Sequence, residues 1–345
     1  MTYRTVQVND FGGPEVFHVE RLADPPEPAA DQVRVKLTSI GLNHADLLAR
    51  AGKYKLASGD PPFIPGLEGG GVIDAVGAGV DDGRVGERVS LAPMVTRLSA
   101  GFGGTYRTHY VCPAEDALPA PPEVPDDQLG ALWLPYLTAW GCLVWLHGLD
   151  RKPGQTVAIP AASSSVALAA AQVVKHHGGT AVGLTTSPQK VETLRALSTC
   201  AFDEIVCTRD EAGQPRDWRK DLKRLTDGRG VDVFFDPVAA GDYLSTEIRT
   251  LAPGGAVYVY GLLGEPGPVD VWPLIRLGAK VEGYVNGRLD TPDQPWRRGC
   301  EHIFQGFASG AYRQHLGEVW PLEDVAQAHT EMARGRHMGK LVLRP

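Results

Sequence analysis

The stretch Thr156–Leu184, TVAIPAASSSVALAAAQVVKHHGGTAVGL, decides the fold. It opens with a short apolar strand, Thr156–Ile159, and a turn of small residues leads into a segment with helical spacing, Val166–His177. The Gly-Gly pair at 178–179 is typical of a helix end, and Thr180–Leu184 has the composition of a second strand. A strand, a helix and a strand in this order predict a βαβ unit with parallel strands.

The same alternation continues along the chain. Ser187 and Pro188 have the residue types of a helix N-cap and first helical position, and we expect that helix to reach about Leu197. Further strands are predicted at Glu204–Cys207, Val231–Phe235 and Ala256–Tyr260, with helices at Trp218–Leu225 and Leu244–Leu251. We therefore predict an α/β protein with a doubly wound, Rossmann-type parallel sheet.

The flanking regions have a different pattern. The first 125 residues are rich in predicted strands, among them Val33–Leu37, Gly70–Gly77 and Arg107–Cys112. Pro119–Pro125 has the composition of a stiff connector, so a domain edge is expected there. The tail returns to mixed structure, with predicted helices at Gly299–Ser309 and Leu322–Arg334 and a closing strand at Gly339–Arg344.

Composition limits the classes of function. A chain of 345 residues with 43% hydrophobic residues can form about two folded domains, which excludes disorder as its main character. The net charge of −7 argues against a nucleic acid or an anionic membrane as partner. Five cysteines without a CxxC pair indicate a reducing compartment. With no apolar leader and no apolar run of about 18 residues, we predict a cytoplasmic protein.

The turn after the first strand is where a doubly wound fold binds phosphate, because helix N-terminal N–H groups and the helix dipole attract anions. The glycines of the usual G-x-G-x-x-G turn are absent, and Ala161, Ser164 and Ala167 occupy the spaced positions. Small side chains still permit close approach of the backbone, and the serine hydroxyls can donate to phosphate oxygens. The alternative is that the serines only cap a helix.

The end of the second strand indicates which dinucleotide would bind. NAD-binding sheets usually carry Asp or Glu there for the ribose hydroxyls, whereas this chain has Thr185, Thr186 and Ser187, with Lys190 one turn later. Hydroxyls and a cation favour a 2′-phosphate, so NADPH is the predicted cofactor. The alternative is a solvated lysine beside an ordinary N-cap serine. The full set of predicted cofactor-binding residues is Ser163, Ser164, Ser165, Val166, Thr185, Thr186, Ser187, Lys190, Gly261, Leu262 and Lys340.

Several segments in this order resemble the medium-chain dehydrogenase/reductase superfamily, and most of all its zinc-free quinone oxidoreductase branch, which includes zeta-crystallin. They are Gly41–Asp46 (GLNHAD), Pro65–Val72 (PGLEGGGV), Val85–Val89 (VGERV), Gly104–Tyr106 (GTY), Tyr136–Gly141 (YLTAWG) and Leu251–Gly255 (LAPGG). The resemblance covers nearly the whole chain. It implies a GroES-like, β-rich catalytic domain at 1–125, to which 288–345 return, and an NADPH-binding Rossmann domain at 126–287. Members of this branch are usually dimers or tetramers, and we predict a homodimer.

The resemblance bears on metal as well. Zinc alcohol dehydrogenases of this superfamily have Cys where this chain has Asn43 and His where it has Leu67. The region Trp133–Tyr136, from which a third ligand would come, contains no Cys. Since a catalytic zinc site usually takes three N, S or O ligands from the protein, we expect no metal. Structural roles are expected for His44 and Glu68.

Without a metal, a hydroxyl, an amide or a water must stabilise the negative charge that develops on the acceptor oxygen. Three residues match active-site positions of the resembled family: Tyr54, Asn43 and Thr138. Related enoyl-thioester reductases use a tyrosine at the position that Tyr54 matches. Packing of a loop aromatic is the alternative for Tyr54, and a helix residue facing the core is the alternative for Thr138.

These observations predict a zinc-independent, NADPH-dependent oxidoreductase that transfers hydride to a small molecule with a conjugated carbonyl, either a quinone or an α,β-unsaturated ketone. Two alternatives stay open. One is an enoyl-thioester reductase of fatty-acid or polyketide assembly. The other is a non-catalytic binding or structural relative, which the altered glycine turn favours.

Overall fold

The structure is a computed structural model that describes residues 3–93 and 103–345. These residues divide into two compact units. The N-terminal unit comprises residues up to Leu134 together with Cys300–Gly310 and Gln314–Pro345. The central unit comprises Pro135–Gly299 and Ala311–Arg313.

The strands are distributed over both units. In chain order they are β1 Tyr3–Val8, β2 Phe17–Leu22, β3 Gln32–Gly41, β4 Gly70–Val76, β5 Arg88–Leu91, β6 His109–Pro113, β7 Ala117–Pro119, β8 Thr156–Ile159, β9 Thr180–Thr185, β10 Glu204–Cys207, β11 Val231–Asp236, β12 Leu251–Val259, β13 Lys280–Gly283, β14 Leu316–Pro321 and β15 Lys340–Arg344. All the strands predicted from the sequence are present, although their ends differ by a few residues.

The helices are mostly short. In chain order they are α1 His44–Arg50, α2 Ser165–His176, α3 Pro188–Ala196, α4 Arg219–Leu225, α5 Gly241–Thr250, α6 Trp272–Leu277, α7 Pro295–Ala308 and α8 Val325–Arg334. A π-helical stretch, Trp133–Leu137 and Trp140–Leu146, precedes β8. Throughout the described ranges, none of the helices combines the length and the apolar character that crossing a membrane requires.

The central unit contains a parallel sheet of six described strands in the order β10-β9-β8-β11-β12-β13. Read from β8 as the first strand, this is the 3-2-1-4-5-6 order of dinucleotide-binding sheets, and it confirms the predicted Rossmann-type fold. The strand order reverses between β8 and β11. Ligands of such sheets bind at the carboxyl ends of the strands at this reversal.

Burial on both faces explains why the central strands form. Every residue of β8 is buried, and the core of this unit includes Val182, Phe234 and Val257 from the next strands. A strand covered by helices on both faces needs a nearly continuous apolar run, which is the pattern of the sequence here. The parallel sheet therefore follows from local composition.

β12 starts earlier than predicted. The expected strand began at Ala256, but Leu251 already pairs with Val231 of β11. Pro253–Gly255 interrupt the apolar pattern, and an irregularity in the pairing between Val231 and Val233 accommodates them. Proline and glycine had hidden the first part of this strand, and the predicted end of the preceding helix at Leu251 was one residue late.

The N-terminal unit holds a mixed sheet whose described strands have the order β14-β15-β3-β4-β5-β7, with β6 also paired to β3. In β3, buried and partly buried residues alternate, as expected for a strand with one face on the core. β15 lies between β14 and β3, so residues close to both ends of the sequence build one sheet. The predicted helix from Leu322 begins as a helix only at Val325, because Leu322–Asp324 form a 3-10 turn after Pro321.

Candidate functional site

The turn after β8 has the form of a helix-capping turn. Ser164 is the N-cap of α2, and its Oγ accepts a hydrogen bond from the N–H of Ala167 at 3.2 Å. The N–H of Ser164 donates to the carbonyl of Ala161 at 2.8 Å, which closes the turn. Ala161 has a φ of 53°, a left-handed conformation that glycine adopts most easily. The alanine at this glycine position thus keeps the backbone shape of a glycine turn.

Two residues that the sequence predicted as cofactor ligands in separate motifs, Lys190 and Ser163, meet at this turn. Lys190 of α3 donates from Nζ to the Oγ of Ser163 at 3.1 Å. The lysine is half-buried, and this burial lowers the pKa of its ammonium. Ser165 and Val166 occupy the first two positions of α2, where the N–H groups have no carbonyl one turn earlier within the helix. Hydroxyl, ammonium and backbone donors therefore lie together in the central unit.

The end of β9 differs in detail from the prediction. Thr185 is buried and its Oγ1 accepts from the N–H of Ser187 at 3.3 Å, while Thr186 is exposed. Ser187 is the N-cap of α3 and Pro188 its first residue, but the Ser187 hydroxyl donates to Gln189 at 3.1 Å. No side-chain cap bond forms here. Ser187 therefore occupies the N-cap position, but its hydroxyl makes no hydrogen bond to the helix backbone.

Two loops follow the next strands of the sheet. The N–H groups of Leu263 and Gly264, after β12, donate to the carbonyls of Pro237 and Val238, after β11, each at 2.8 Å. Gly261 approaches the Pro237 backbone so closely that a Cβ there would stand 3.1 Å from its carbonyl oxygen. The predicted cofactor residues Gly261 and Leu262 therefore lie in a loop that two backbone hydrogen bonds join to the loop after β11. The Leu262 side chain is exposed.

Sequence reasoning missed Asp236, the last residue of β11. Its carboxylate accepts from the N–H of Val238 at 2.6 Å and of Ala239 at 2.8 Å, and the side chain is fully buried. Burial raises the pKa of this carboxyl, and the two N–H groups oppose the rise. An acid between a buried strand and Pro237 was the signal that could have identified it.

A second polar cluster lies in the N-terminal unit. The Lys340 ammonium forms a short ion pair with Glu68 and donates to Oδ1 of Asn43 at 2.6 Å. The Asn43 amide donates to Glu68 at 3.1 Å, and the N–H of Leu134 donates to the other Glu68 oxygen at 3.0 Å. Lys340 and Glu68 are almost completely buried. Lys340, predicted as a cofactor ligand, thus has its ammonium bound inside the protein, and Glu68 has the structural role expected for it.

Asp46 extends this cluster through α1. Its carboxylate accepts from the N–H of Asn43 at 2.8 Å. Burial raises the pKa of Asp46 to about 7, and the Asn43 N–H and the Lys340 charge limit the rise. Asp46 also faces the hydroxyl of Tyr106. This hydroxyl contacts Nε2 of His329 at 2.9 Å. The cluster is a continuous buried network.

The predicted catalytic residues belong to different units. Tyr54 lies at the start of a 3-10 turn in the N-terminal unit and is partly buried against Ala49, Ala57 and Leu67. Burial raises the pKa of its phenol, which keeps the hydroxyl protonated at neutral pH. The Tyr54 ring therefore packs against apolar side chains, which was the alternative for this residue. The protonated phenol can still act as a hydrogen-bond donor.

Thr138 lies in the central unit between the two π-helical segments, and it is buried, as expected from the alternative of a core-facing helix residue. Its Oγ1 accepts from the Asn286 amide at 3.1 Å, and the Asn286 oxygen accepts from the Tyr284 hydroxyl at 3.1 Å. The hydroxyl proton of Thr138 is not used in this contact. Thr138 is positioned by a buried chain of three polar groups.

Comparisons with known proteins match both units. A family model described as the alcohol dehydrogenase GroES-like domain matches residues 29–122, and one described as zinc-binding dehydrogenase matches residues 201–343. A quinone oxidoreductase from Sus scrofa is 29% identical over 98% of this chain and 96% of its own length. A 2-haloacrylate reductase from Burkholderia sp is 29% identical over 98% of both chains. The solved structure of a quinone oxidoreductase from Pseudomonas syringae pv. Tomato DC3000 is 28% identical, covers 100% of both chains and superimposes with a TM-score of 0.83.

Proposed function

The chain belongs to the medium-chain dehydrogenase/reductase superfamily, and from this premise we propose that it is a zinc-independent, NADPH-dependent reductase of a conjugated carbonyl, either a quinone or an α,β-unsaturated ketone. An oxidoreductase is what the family and the names of the relatives support. One contact carries the choice of cofactor, the hydrogen bond from Lys190 to Ser163 at the phosphate turn. A cytoplasmic location, and the absence of nucleic-acid and membrane partners, are part of the proposal.

The residues of the central unit fit a nicotinamide dinucleotide. The N-terminus of α2 offers N–H groups to a pyrophosphate, and the left-handed Ala161 gives the turn the shape that a glycine would otherwise supply. Lys190, Ser163 and Thr186 supply a cation and hydroxyls for a 2′-phosphate at the end of β9, where the acid that would repel this group is missing. When bound, the reduced nicotinamide supplies a hydride.

The side chains at the zinc positions of the superfamily do not fit a zinc ion. Leu67 has no ligating atom and packs in an apolar cluster with Ala49 and Ala57. The Asn43 amide is engaged by Lys340 and Glu68, so that a fixed ammonium already supplies the positive charge in this cluster. Zinc prefers N, S and carboxylate ligands, typically three from the protein in a catalytic site. We therefore derive no step through a metal.

Tyr54 is the donor that we assign to the developing oxyanion or enolate. Burial raises the pKa of its phenol, so the group carries its proton at working pH. The Asn43 amide is held by Glu68, and the Thr138 hydroxyl is held by Asn286. We assign the proton donation to Tyr54, the orientation of the substrate to Thr138, and to Asn43 the positioning of the buried cluster with Lys340 and Glu68.

Replacing Tyr54 by Phe tests this assignment. The change removes one hydroxyl and little volume, so fold and NADPH affinity should be retained. We expect kcat and kcat/KM to fall together, by roughly ten- to a thousandfold, as for loss of one transition-state donor. Enones should be affected more than quinones, because a reduced quinone is the better stabilised anion. Tyr3→Phe on β1 is the matched control, and full activity of Tyr54→Phe on every acceptor would mean that another group donates.

A panel assay decides between acceptor classes. NADPH oxidation should be followed with a quinone, an enone and an enoyl thioester, each with and without enzyme. Turnover of either of the first two supports the proposal, whereas strong preference for the thioester favours the reductase of fatty-acid or polyketide assembly. NADPH fluorescence that neither quenches nor shifts on addition of protein would favour a non-catalytic relative.

The proposal includes a homodimer formed through the central unit. β13 is the end strand of the sheet, and its outer edge has no partner strand in the described part of the chain. Val281 on this strand is 38% exposed, and Trp272 and Ile275 on α6 are 74% and 77% exposed. Antiparallel pairing of two such edges about a two-fold axis would cover them. Light scattering that gives the mass of one chain would contradict the dimer.

A further inference from the structure

Two buried carboxyls lie together where the turn after β11 begins. Asp236 ends the strand and accepts the N–H groups of Val238 and Ala239. Glu247, on α5, is fully buried and faces Asp236. Among the described residues, neither oxygen of Glu247 has a hydrogen-bond partner of standard geometry. An ionised carboxylate at this depth would need such partners.

The surroundings of the pair favour one negative charge over two. Burial raises the pKa of Glu247 well above its usual value, and the Asp236 charge raises it further. Tyr243 on α5 faces both carboxyls, and Tyr260, after β12, faces Asp236. Neither α4 nor α6, which also pack against α5, brings a cation to the two carboxyls in the described part of the chain.

We infer that Glu247 holds a proton at neutral pH and leaves the negative charge on Asp236, which makes Glu247 a positioning residue for the cofactor turns. Two neighbouring negative charges that are both buried away from water cannot persist without a counter-ion. Asp236 has two backbone donors to stabilise its charge, whereas Glu247 has none of standard geometry. The proton therefore belongs on Glu247.

The strand register connects this pair to the phosphate turn. Phe234 of β11 pairs with Ala158 of β8, so Asp236 and Pro160, each two residues later, leave the sheet side by side. This is the point where the strand order reverses. Asp236 also accepts the N–H of Ala239, whose φ is 49°. Ala239 belongs to the loop after β11, which is hydrogen-bonded to the loop after β12. An ionised Glu247 would repel Asp236 and loosen both loops.

The test compares the pH dependence of NADPH affinity in the unmodified protein and in Glu247→Gln, and it rests on the proposed cofactor. Between pH 7 and pH 9 we expect the dissociation constant of the unmodified protein to rise roughly three- to tenfold, the loss of about one hydrogen bond. In Glu247→Gln, whose side chain cannot ionise, the rise should be absent. Asp242→Asn removes an exposed acid from the same helix and should follow the unmodified protein.

An equal rise in Glu247→Gln would overturn the inference, because the titrating group would then be another one, such as the half-buried Lys190. Failure of the proposed function has a different signature, which is no binding of NADPH or NADH at pH 7. Even if neither dinucleotide binds, unfolding by urea at several pH values tests whether Glu247 holds the proton. A protein that contains a carboxyl whose pKa is raised on folding becomes less stable as the pH rises. The free energy of unfolding of Glu247→Gln, relative to that of the unmodified protein, should therefore increase from pH 5 to pH 8. A constant difference would overturn the inference.

Discussion

The cluster around Lys340 and the turn after β8 use similar groups in opposite ways. In the cluster a buried ammonium is paired with the Glu68 carboxylate and with Asn43. At the turn the Lys190 ammonium donates to a neutral hydroxyl, that of Ser163, and the first N–H groups of α2 lie beside it. A buried ion pair fixes structure, whereas in the proposed function the Lys190 ammonium exchanges its bond with Ser163 for a phosphate oxygen. Under the proposed function, this difference separates a structural polar site from a dinucleotide-binding site.

The comparison predicts its largest effect for Lys340→Met. The substitution keeps a long apolar stem but leaves Glu68 buried without its counter-charge. We expect the free energy of unfolding to fall by about 3–5 kcal/mol, as measured by urea denaturation. Adding Glu68→Gln to this variant should recover part of the loss. A loss below about 1 kcal/mol, the usual value of a surface pair, would mean that the cluster is not a closed structural site.

Lys190→Ala should change binding and leave stability almost unchanged. A charge-assisted phosphate contact is worth roughly 1.5–3 kcal/mol, so NADPH affinity should fall about ten- to a hundredfold. NADH affinity should change little, because NADH has no 2′-phosphate. Isothermal titration with both dinucleotides measures the ratio.

Lys175→Ala is the control for this variant, because its ammonium pairs with Asp203 near the exposed end of α2. It should leave the ratio of the two affinities unchanged. Equal affinity of the unmodified protein for NADPH and NADH would contradict the assigned role of Lys190.

The smallest effect is expected at Ala161. At a φ of 53° a Cβ is unfavourable by roughly 1–2 kcal/mol, and glycine removes this penalty at the cost of greater freedom in the unfolded chain. Ala161→Gly should therefore raise stability by up to about 1 kcal/mol, measured as a higher Tm. Ala239→Gly, at a φ of 49°, should act in the same direction.

The buried neighbour Ala162 has no such conformation and provides the control. Ala162→Gly should lower the Tm, because glycine has its entropic cost there and the buried methyl group is also lost. A lower Tm for Ala161→Gly as well would show that the alanine methyl is needed for packing in this turn.

Much of the fold was predictable because it depends on local patterns. The apolar runs of β8 and β11, and the Gly178–Gly179 helix end, are each contained in a few consecutive residues. Their alternation defines a parallel sheet without knowledge of distant contacts. β12 was partly missed because Pro253 broke its local pattern, although pairing with β11 retains it in the sheet.

The sites were only partly predictable, for a related reason. The bond between Lys190 and Ser163 joins two motifs that the sequence had already assigned to one ligand. Lys340 reaches Asn43 and Glu68 across most of the chain, and no pattern near residue 340 indicates these partners. Asp236 had a local signal, but its effect on Val238 and Ala239 depends on the turn geometry. Tertiary pairing of single polar groups is not encoded in sequence periodicity.

The position of β15 has a consequence for how the protein is made. β15 pairs with β3 and β14, second from one end of the sheet, and it carries Lys340 into the buried cluster. On the ribosome, β3 is synthesised early and can pair with β4 and β6, but the partners of Ile40 and Gly41 emerge only with residues 340–344. The central unit, complete once Arg313 has emerged, has all its strands earlier. We therefore expect the usual N-terminal-first order to be altered: the strands of the central sheet are all available before the sheet of the N-terminal unit receives its last strand, β15.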